Sequence, residues 1–271
     1  MTDDRGAPVV KSADRLMILF DYLAAQSPAT LTQIARDLGI PNSSTYQLLS
    51  TATRRGYIAL DLEDKVYSLG SRFWEITQAS QGDPSIAQLA QEPMDQLRDA
   101  TQETVQLAQL DGMENVYLAI AESPLPMKLV SQVGSRLPAH ATGLGKTLLA
   151  YLDRDELHRR LGNSDLAAMT ENTITDRQEL ETELDLIRSR GCGEDREEYL
   201  VGCRCVAMPI RDRNDNVVAA LSVSVPTPRF TPRLERTIHT ELRQTIHALE
   251  KKLGRVASDA AGTPAIVSAN T

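Results

Sequence analysis

The stretch Thr30-Leu31-Thr32-Gln33-Ile34-Ala35-Arg36-Asp37-Leu38-Gly39-Ile40-Pro41-Asn42-Ser43-Ser44-Thr45 decides how the first part of the chain folds. Thr30 and Gln33 have the spacing of a capping box, in which each side chain answers the other's backbone N–H. Leu31, Ile34, Ala35 and Leu38 then give one apolar face over a short helix. Gly39 suits the left-handed position that closes such a helix. Pro41 and the polar run after it open a second helix, with Leu48, Leu49 and Ala52 on its apolar side. Two short helices joined by a glycine turn make a helix-turn-helix.

The residues on either side extend this reading. Upstream, Leu16, Leu19, Phe20, Leu23 and Ala24 form an amphipathic stripe over Ala13–Ala25, and Pro28 ends it. Downstream, Arg54-Arg55-Gly56 stops the second helix. Tyr57–Leu60 and Val66–Leu69 read as two short strands around a turn. A hairpin placed directly after a helix-turn-helix is a wing. Asn42, Ser43, Ser44, Tyr46 and Gln47 lie near the start of the second helix, where short polar side chains can meet phosphates and base edges. An ordinary helical hairpin would show the same polar start, because such residues are common caps. The wing favours double-stranded DNA, with Arg54, Arg55 and Lys65 as candidate phosphate contacts.

Charge agrees with a local DNA patch rather than a coat. The 271 residues carry a net charge of −8, which disfavours bulk binding to nucleic acid or anionic lipid. Residues 1–80 hold 8 basic and 9 acidic residues, against 21 and 28 in the remainder. The near-neutral part is therefore N-terminal. Hydrophobic residues make up 41% and aromatics only 4%, so aliphatic side chains must build the cores. No apolar run approaches the ~20 residues of a membrane span. The N-terminus leads into no secretory signal, and three crowded cysteines suit a reducing cytoplasm.

The expected organisation is a winged helix-turn-helix over residues 1–70, a linker helix and turn over 71–84, an α+β domain over 85–254, and a disordered tail over 255–271. In the second domain, Thr104–Leu110 and Val116–Ala121 read as a hairpin through Asp111-Gly112, and Leu129–Val133 as a third strand. Cys205–Ile210 and Val217–Val225 read as another hairpin. Helices are expected over Gly145–Leu152, Asp176–Arg190 and from Pro232 to Gly254. Alternation places Val217, Ala219, Leu221, Val223 and Val225 on one strand face, and Val218, Ala220, Ser222 and Ser224 on the other. The two serines need partners, either backbone and water or a ligand at a polar pocket wall. Phe73, Trp74 and Ile76, beside the linker, are expected to be covered by another domain or subunit.

Several motifs together resemble the IclR-type transcriptional regulators. They are Lys11-Ser12-Ala13-Asp14-Arg15, Leu31–Ala35, Gly39–Ser44 and Tyr67-Ser68-Leu69-Gly70 in the first domain. Leu137–Lys146, Asp195–Tyr199, Gly202–Ala207 and Leu221–Ser224 follow in the second, in the family's order. The resemblance implies a winged helix-turn-helix joined to a GAF-like effector-binding domain with an antiparallel sheet. It implies homodimers or dimers of dimers that bind operator DNA and answer to a small molecule. It carries Leu137, Gly143, Leu144, Asp195, Cys205, Ser222 and Ser224 onto effector-contacting positions. Amide groups at Gly143-Leu144 would then hold an organic acid without a buried Lys or Arg. Val225 and the Cys192-Gly193 pair depart from the family pattern and are expected to reshape the pocket.

Competing readings have weaker support. Gly143-Leu144-Gly145-Lys146-Thr147 looks like the end of a P-loop, but His140 stands where that motif needs its first glycine. Cys192, Cys203, Cys205 and His140 lack the paired spacing of a zinc site. No metal and no cofactor is therefore expected. An enzyme using Asp195 and Cys205, with the winged helix as an interaction module, remains the alternative. No histidine is placed to activate Cys205. Whether the regulator represses or activates is open at this stage.

Overall fold

The computed structural model describes residues 10–79, 85–162 and 165–255. The chain folds as two units, divided between residues 83 and 84. The turn at Gly82-Asp83-Pro84 and the tail from Val256 lie outside the described residues.

The first unit begins with α1 (Lys11–Ala25), then β1 (Ala29–Thr30), α2 (Leu31–Asp37) and α3 (Asn42–Arg54). Strands β2 (Ile58–Asp61) and β3 (Val66–Leu69) and helix α4 (Arg72–Ala79) complete it. The capping box forms: Gln33 N–H donates to Thr30 Oγ1, and Thr30 N–H donates to Gln33 Oε1 at 2.8 Å. Gly39 takes a φ of +63°, as the turn requires. Leu19, Leu23, Ile34, Leu49, Ala52 and Ile58 pack into one core, which decides the pairing of the helices. The strand pair β2–β3 is the wing, and β1 adds a third strand against β3. Phe73 of α4 is half-buried inside this unit, packed edge-on against Phe20 at 4.9 Å and Tyr57 at 5.2 Å. Its own unit therefore supplies part of its cover; the Trp74 side chain lies outside the described residues. Ile76 stays 42% exposed.

The second unit contains α5 (Ile86–Thr101), β4 (Thr104–Asp111), β5 (Glu114–Ala121), β6 (Arg136–Pro138) and α6 (Gly143–Ala150). Next come α7 (Arg154–Leu161), α8 (Arg177–Arg190), β7 (Gly193–Arg196), β8 (Cys203–Arg211), β9 (Val217–Pro226) and α9 (Pro232–Lys252). The strands form one antiparallel sheet in the order β6-β5-β4-β9-β8-β7. Helices α5 and α9 cover one face: Met94 and Leu97 meet Ile238, Leu242 and Leu249 over Val105, Leu107, Val206 and Val223. Leu144 and Leu148 of α6 cover the other face at Ala108, Tyr117, Ala207 and Ala220. Behind α6, Leu180, Leu184 and Ile187 of α8 pack on Leu149 and Ala150.

Three expectations are corrected here. Leu129–Val133 forms no strand. The chain reaches the open edge of β5 only at Gly134 and Ser135, whose bonds with Tyr117 lead directly into β6. Arg255 belongs to the folded domain rather than the tail, because it pairs with Glu250 at 2.5 Å and Asp215 at 2.6 Å. Val217 packs with the α6 side of the sheet, since the register shifts at Ile210/Arg211 and breaks the alternation there.

Candidate functional site

The α6 side of the sheet holds a small pocket, walled by β7, β8 and β9 and closed at one end by the start of α6. Sheet register explains how residues far apart in sequence reach it. Asp195 of β7 lies opposite Cys205 of β8, Cys205 opposite Ser224 of β9, and Ser224 opposite Thr104 of β4. One row over, Gly193, Ala207, Ser222 and Gln106 are aligned in the same way. Directly opposed side chains sit about 5 Å apart on one face, so each row acts as a short wall.

Helix α6 ends over that wall. Thr142 caps it, accepting from Gly145 N–H at 3.0 Å and donating to Asn115 Oδ1 at 2.7 Å. Gly143 and Leu144 supply the first two N–H groups, which have no carbonyl one turn back within the helix. The glycines here are set by packing. A Cβ on Gly145 would fall 2.2 Å from Ala139 Cα, and one on Gly193 would fall 2.4 Å from Thr147 Oγ1. On Gly143 it would press on the backbone of Glu194 and Asp195 at 3.3–3.4 Å. Gly145 is therefore a helix-contact glycine and not part of a phosphate loop. Lys146 confirms this: it is 1% exposed, and its ammonium bonds both oxygens of Glu198 at 2.5 Å. Lys146 is buried beside the pocket without lining it, and its charge is already matched by Glu198.

All seven expected effector residues line this pocket: Leu137, Gly143, Leu144, Asp195, Cys205, Ser222 and Ser224. Tyr117, Leu129, Thr142, Tyr199, Leu200 and Cys203 join them. Of the two departures, Val225 faces the α5–α9 core and does not touch the pocket. Gly193 acts only indirectly, by letting α6 approach β7. Asp195 is 4% exposed and accepts from the N–H groups of Glu198 at 2.7 Å and Tyr199 at 3.4 Å. Burial outweighs those bonds and pushes its carboxyl up to about 7. The Cys205 thiol is also raised, through its neighbour Cys203 and through burial, so it is a poor nucleophile. The Ser224 and Cys205 side chains are 3.0 Å apart. Ser222 and Ser224 donate their hydroxyl protons to Gln106 Oε1 at 3.2 and 2.9 Å.

Nothing in the polar pattern of β9 named Gln106 as that acceptor. A lone glutamine within the apolar run of β4 was the available signal. His140 bonds the Ala167 carbonyl at 2.9 Å. Among the described residues the group spaced for a metal is Glu194, Glu235 and His239, with no cysteine in it. Arg196 already holds Glu194 at 2.8 Å.

In the first unit, Asn42, Ser43, Tyr46, Gln47, Arg54, Arg55 and Lys65 are exposed, and Ser44 is half-buried. The N-cap of α3 is Pro41, with no side-chain cap bond, so the polar run is not consumed in capping. Thr45 points inward, bonding the carbonyls of Ile40 and Pro41.

Two family models cover the chain: the IclR helix-turn-helix domain matches residues 12–62, and the bacterial transcriptional regulator IclR C-terminal domain matches residues 79–251. The chain belongs to the IclR family. Relatives of this IclR protein include the regulator KdgR of Escherichia coli, 33% identical over 89% of this chain and 93% of that protein. The acetate operon repressor of Salmonella typhimurium is 30% identical, covering 83% and 84%. Among solved structures, Thermotoga maritima IclR is 28% identical with a TM-score of 0.73, covering 90% and 99%. An IclR homologue from Microbacterium hydrocarbonoxydans in complex with 4-hydroxybenzoate has a TM-score of 0.77 at 24% identity, covering 90% and 98%. The family and these relatives are DNA-binding transcriptional regulators. The enzyme alternative gains no support from them. No helix among the described residues is long and apolar enough to cross a membrane.

Proposed function

We propose that this IclR regulator reads operator DNA through α3 and that an organic acid in the α6 pocket modulates this binding. Asn42, Ser43, Ser44, Tyr46 and Gln47 face the major groove in this reading, and Arg54, Arg55 and Lys65 meet phosphates. The observation that carries the effector half is the convergence of seven residues from five elements on one pocket at a helix N-terminus. Helix-start amides favour an anion, and neutral walls favour a small carboxylate over a phosphate ester. The structural relative solved with 4-hydroxybenzoate is consistent with that chemistry.

The protein acts in the cytoplasm as a homodimer or dimer of dimers, so that two copies of α3 meet two half-sites. Val10, Met17 and Ile18 around α1 are 66%, 58% and 42% exposed in the single chain, which supports self-association. Sedimentation at micromolar concentration tests this, and a stable monomer would refute it. The effector reading is tested by gel shift with DNA from upstream of the genes flanking its own. A panel of two- to seven-carbon acids is titrated into the complex. Failure of every acid to change operator occupancy would remove the effector assignment.

A further inference from the structure

Gln106 is fully buried in β4, aligned with Ser222 in β9. A primary amide has two N–H donors on one side and one carbonyl on the other. Here the carbonyl takes both serine protons, while Nε2 is buried without any partner. Two donors are thus unmet inside the domain, and leaving buried donors unmet is costly. The sulfur of Cys205 lies 3.0 Å from Ser224 Oγ. With the Ser224 proton on Gln106, the thiol proton goes to Ser224 in turn. The protons of Cys205, Ser222 and Ser224 therefore all run toward Gln106, and the serines show lone pairs to the pocket. That arrangement receives an alcohol or an amine. It is the wrong sense for a carboxylate.

The reverse orientation of the same amide meets more of its needs. Nε2 then gives one N–H to each serine oxygen, leaving a single carbonyl unmet in place of two donors. Both serine protons are released; the Ser224 proton can turn to the Cys205 sulfur 3.0 Å away, while the Ser222 proton requires an acceptor on the pocket side. A carboxylate held at the Gly143-Leu144 amides is an acceptor for both. From this we infer that Gln106 sets the hydrogen-bond sense of the pocket, turning over when an acid binds so that Ser222 and Ser224 become donors. Gln106 is on this view a specificity-determining residue that never touches the effector. The inference rests on the effector reading above and narrows it to acids over their neutral analogues.

The test uses the full-length protein. Calorimetry first screens wild type against 4-hydroxybenzoate, benzoate, and straight-chain, 2-hydroxy and 2-oxo acids of two to six carbons. If none binds, the effector reading itself fails, and this inference falls with it. The tightest acid is then compared with its own primary amide in wild type, Gln106→Glu and Gln106→Met. An ionised glutamate can only accept, so in titrations at about pH 8 Gln106→Glu should weaken the acid at least about tenfold while leaving the amide within about threefold. Methionine frees the serine protons without competing for them, so Gln106→Met should keep the acid within about threefold. Equal losses of acid and amide in both variants would show a merely structural glutamine and overturn the inference.

Charge repulsion alone could mimic the glutamate result, so a spectroscopic readout decides. In uniformly 15N-labelled wild type, the Gln106 side-chain NH2 signals are assigned by their absence from Gln106→Met. They should shift and saturate with the acid and stay in place with the amide. Signals unmoved at saturating acid would overturn the proposal, even if wild type binds the acid tightly.

Discussion

At the start of α3, Asn42, Ser43, Tyr46 and Gln47 stand in solvent, and Pro41 rather than any of them occupies the cap. Around the α6 pocket the polar side chains are buried and bonded to one another. The first surface is a local object: consecutive turns of one helix offer free donors and acceptors. The second is assembled from strands, loops and a helix start between Tyr117 and Ser224, and Asp195, Cys205, Ser222 and Ser224 in it are already bonded to protein groups. A substitution on α3 should therefore change what is recognised without changing stability. A substitution at the pocket should change both, unless it preserves the bonding.

The sharpest way to break that contrast is Lys146→Met. It would leave the Glu198 carboxylate buried and unmatched beside Asp195. The expected loss is about 3–5 kcal/mol of stability in the second unit, the usual consequence of removing one partner of a buried pair. Pairing it with Glu198→Leu should return most of the loss, since removing both charges ends the mismatch. Chemical denaturation followed by circular dichroism measures both. A single substitution costing under about 1 kcal/mol would mean that solvent reaches the pair.

Asp195 gives the next effect, through pH. Its carboxyl is raised to about 7 by burial, while an unfolded aspartate titrates near 4. The folded state therefore holds an extra proton between those values. Stability contributed by the neutral carboxyl is fully present below about 4 and falls as pH rises toward 7. Asp195→Asn should remove that slope and raise stability at pH 8 by on the order of 2 kcal/mol. Acid binding should also weaken above pH 7 in wild type, as the ionised carboxylate repels the anion. Melting temperatures at pH 5 and pH 8 check the first claim. A variant with the wild-type pH profile would place the titration elsewhere.

How far these two surfaces were legible follows from their construction. Thr30, Gln33, Gly39 and Pro41 announce the helix-turn-helix through contacts at most a few residues apart, and all form as read. The serine pair on β9 was legible from period-two alternation. Its alignment with Gln106, 116 and 118 residues away, was not, because register depends on the whole sheet. Helix α5 was missed for a local reason: Pro93 interrupts its middle, and its cap, Ser85 with Gln88, lies next to the linker residues. Val217 was misassigned because a bulge adds one residue to the count.

On α3, replacing Tyr46 and Gln47 together by Ala should reduce discrimination between operator and mismatched DNA by about tenfold, with stability unchanged within about 0.5 kcal/mol. Tyr46 is 59% exposed, so truncating it leaves little cavity. Competition gel shifts against scrambled half-sites measure the first quantity and thermal melts the second. A destabilised variant that binds its operator normally would reverse the contrast between the two surfaces.

The smallest effect separates the two sources of positive charge on the DNA side. Arg54 ends α3 on an exposed surface, with no acidic residue between it and Gly56. Lys65 sits at the wing turn with a φ of +55°, after Asp61, Glu63 and Asp64. Asp61 folds that turn by accepting from the N–H groups of Glu63 at 2.8 Å and Asp64 at 3.1 Å. Three carboxylates therefore share the wing turn with Lys65 and repel the phosphates it would meet. Each full phosphate contact contributes roughly 0.9 to the slope of log affinity against log salt. Arg54→Ala should lower that slope by about this amount per subunit, and Lys65→Ala by less than about half of it. Titrations between about 50 and 200 mM salt resolve the difference. An equal drop for the two variants would mean that the wing carboxylates turn away from the DNA. The double substitution Glu63→Gln with Asp64→Asn would then leave operator affinity unchanged instead of raising it.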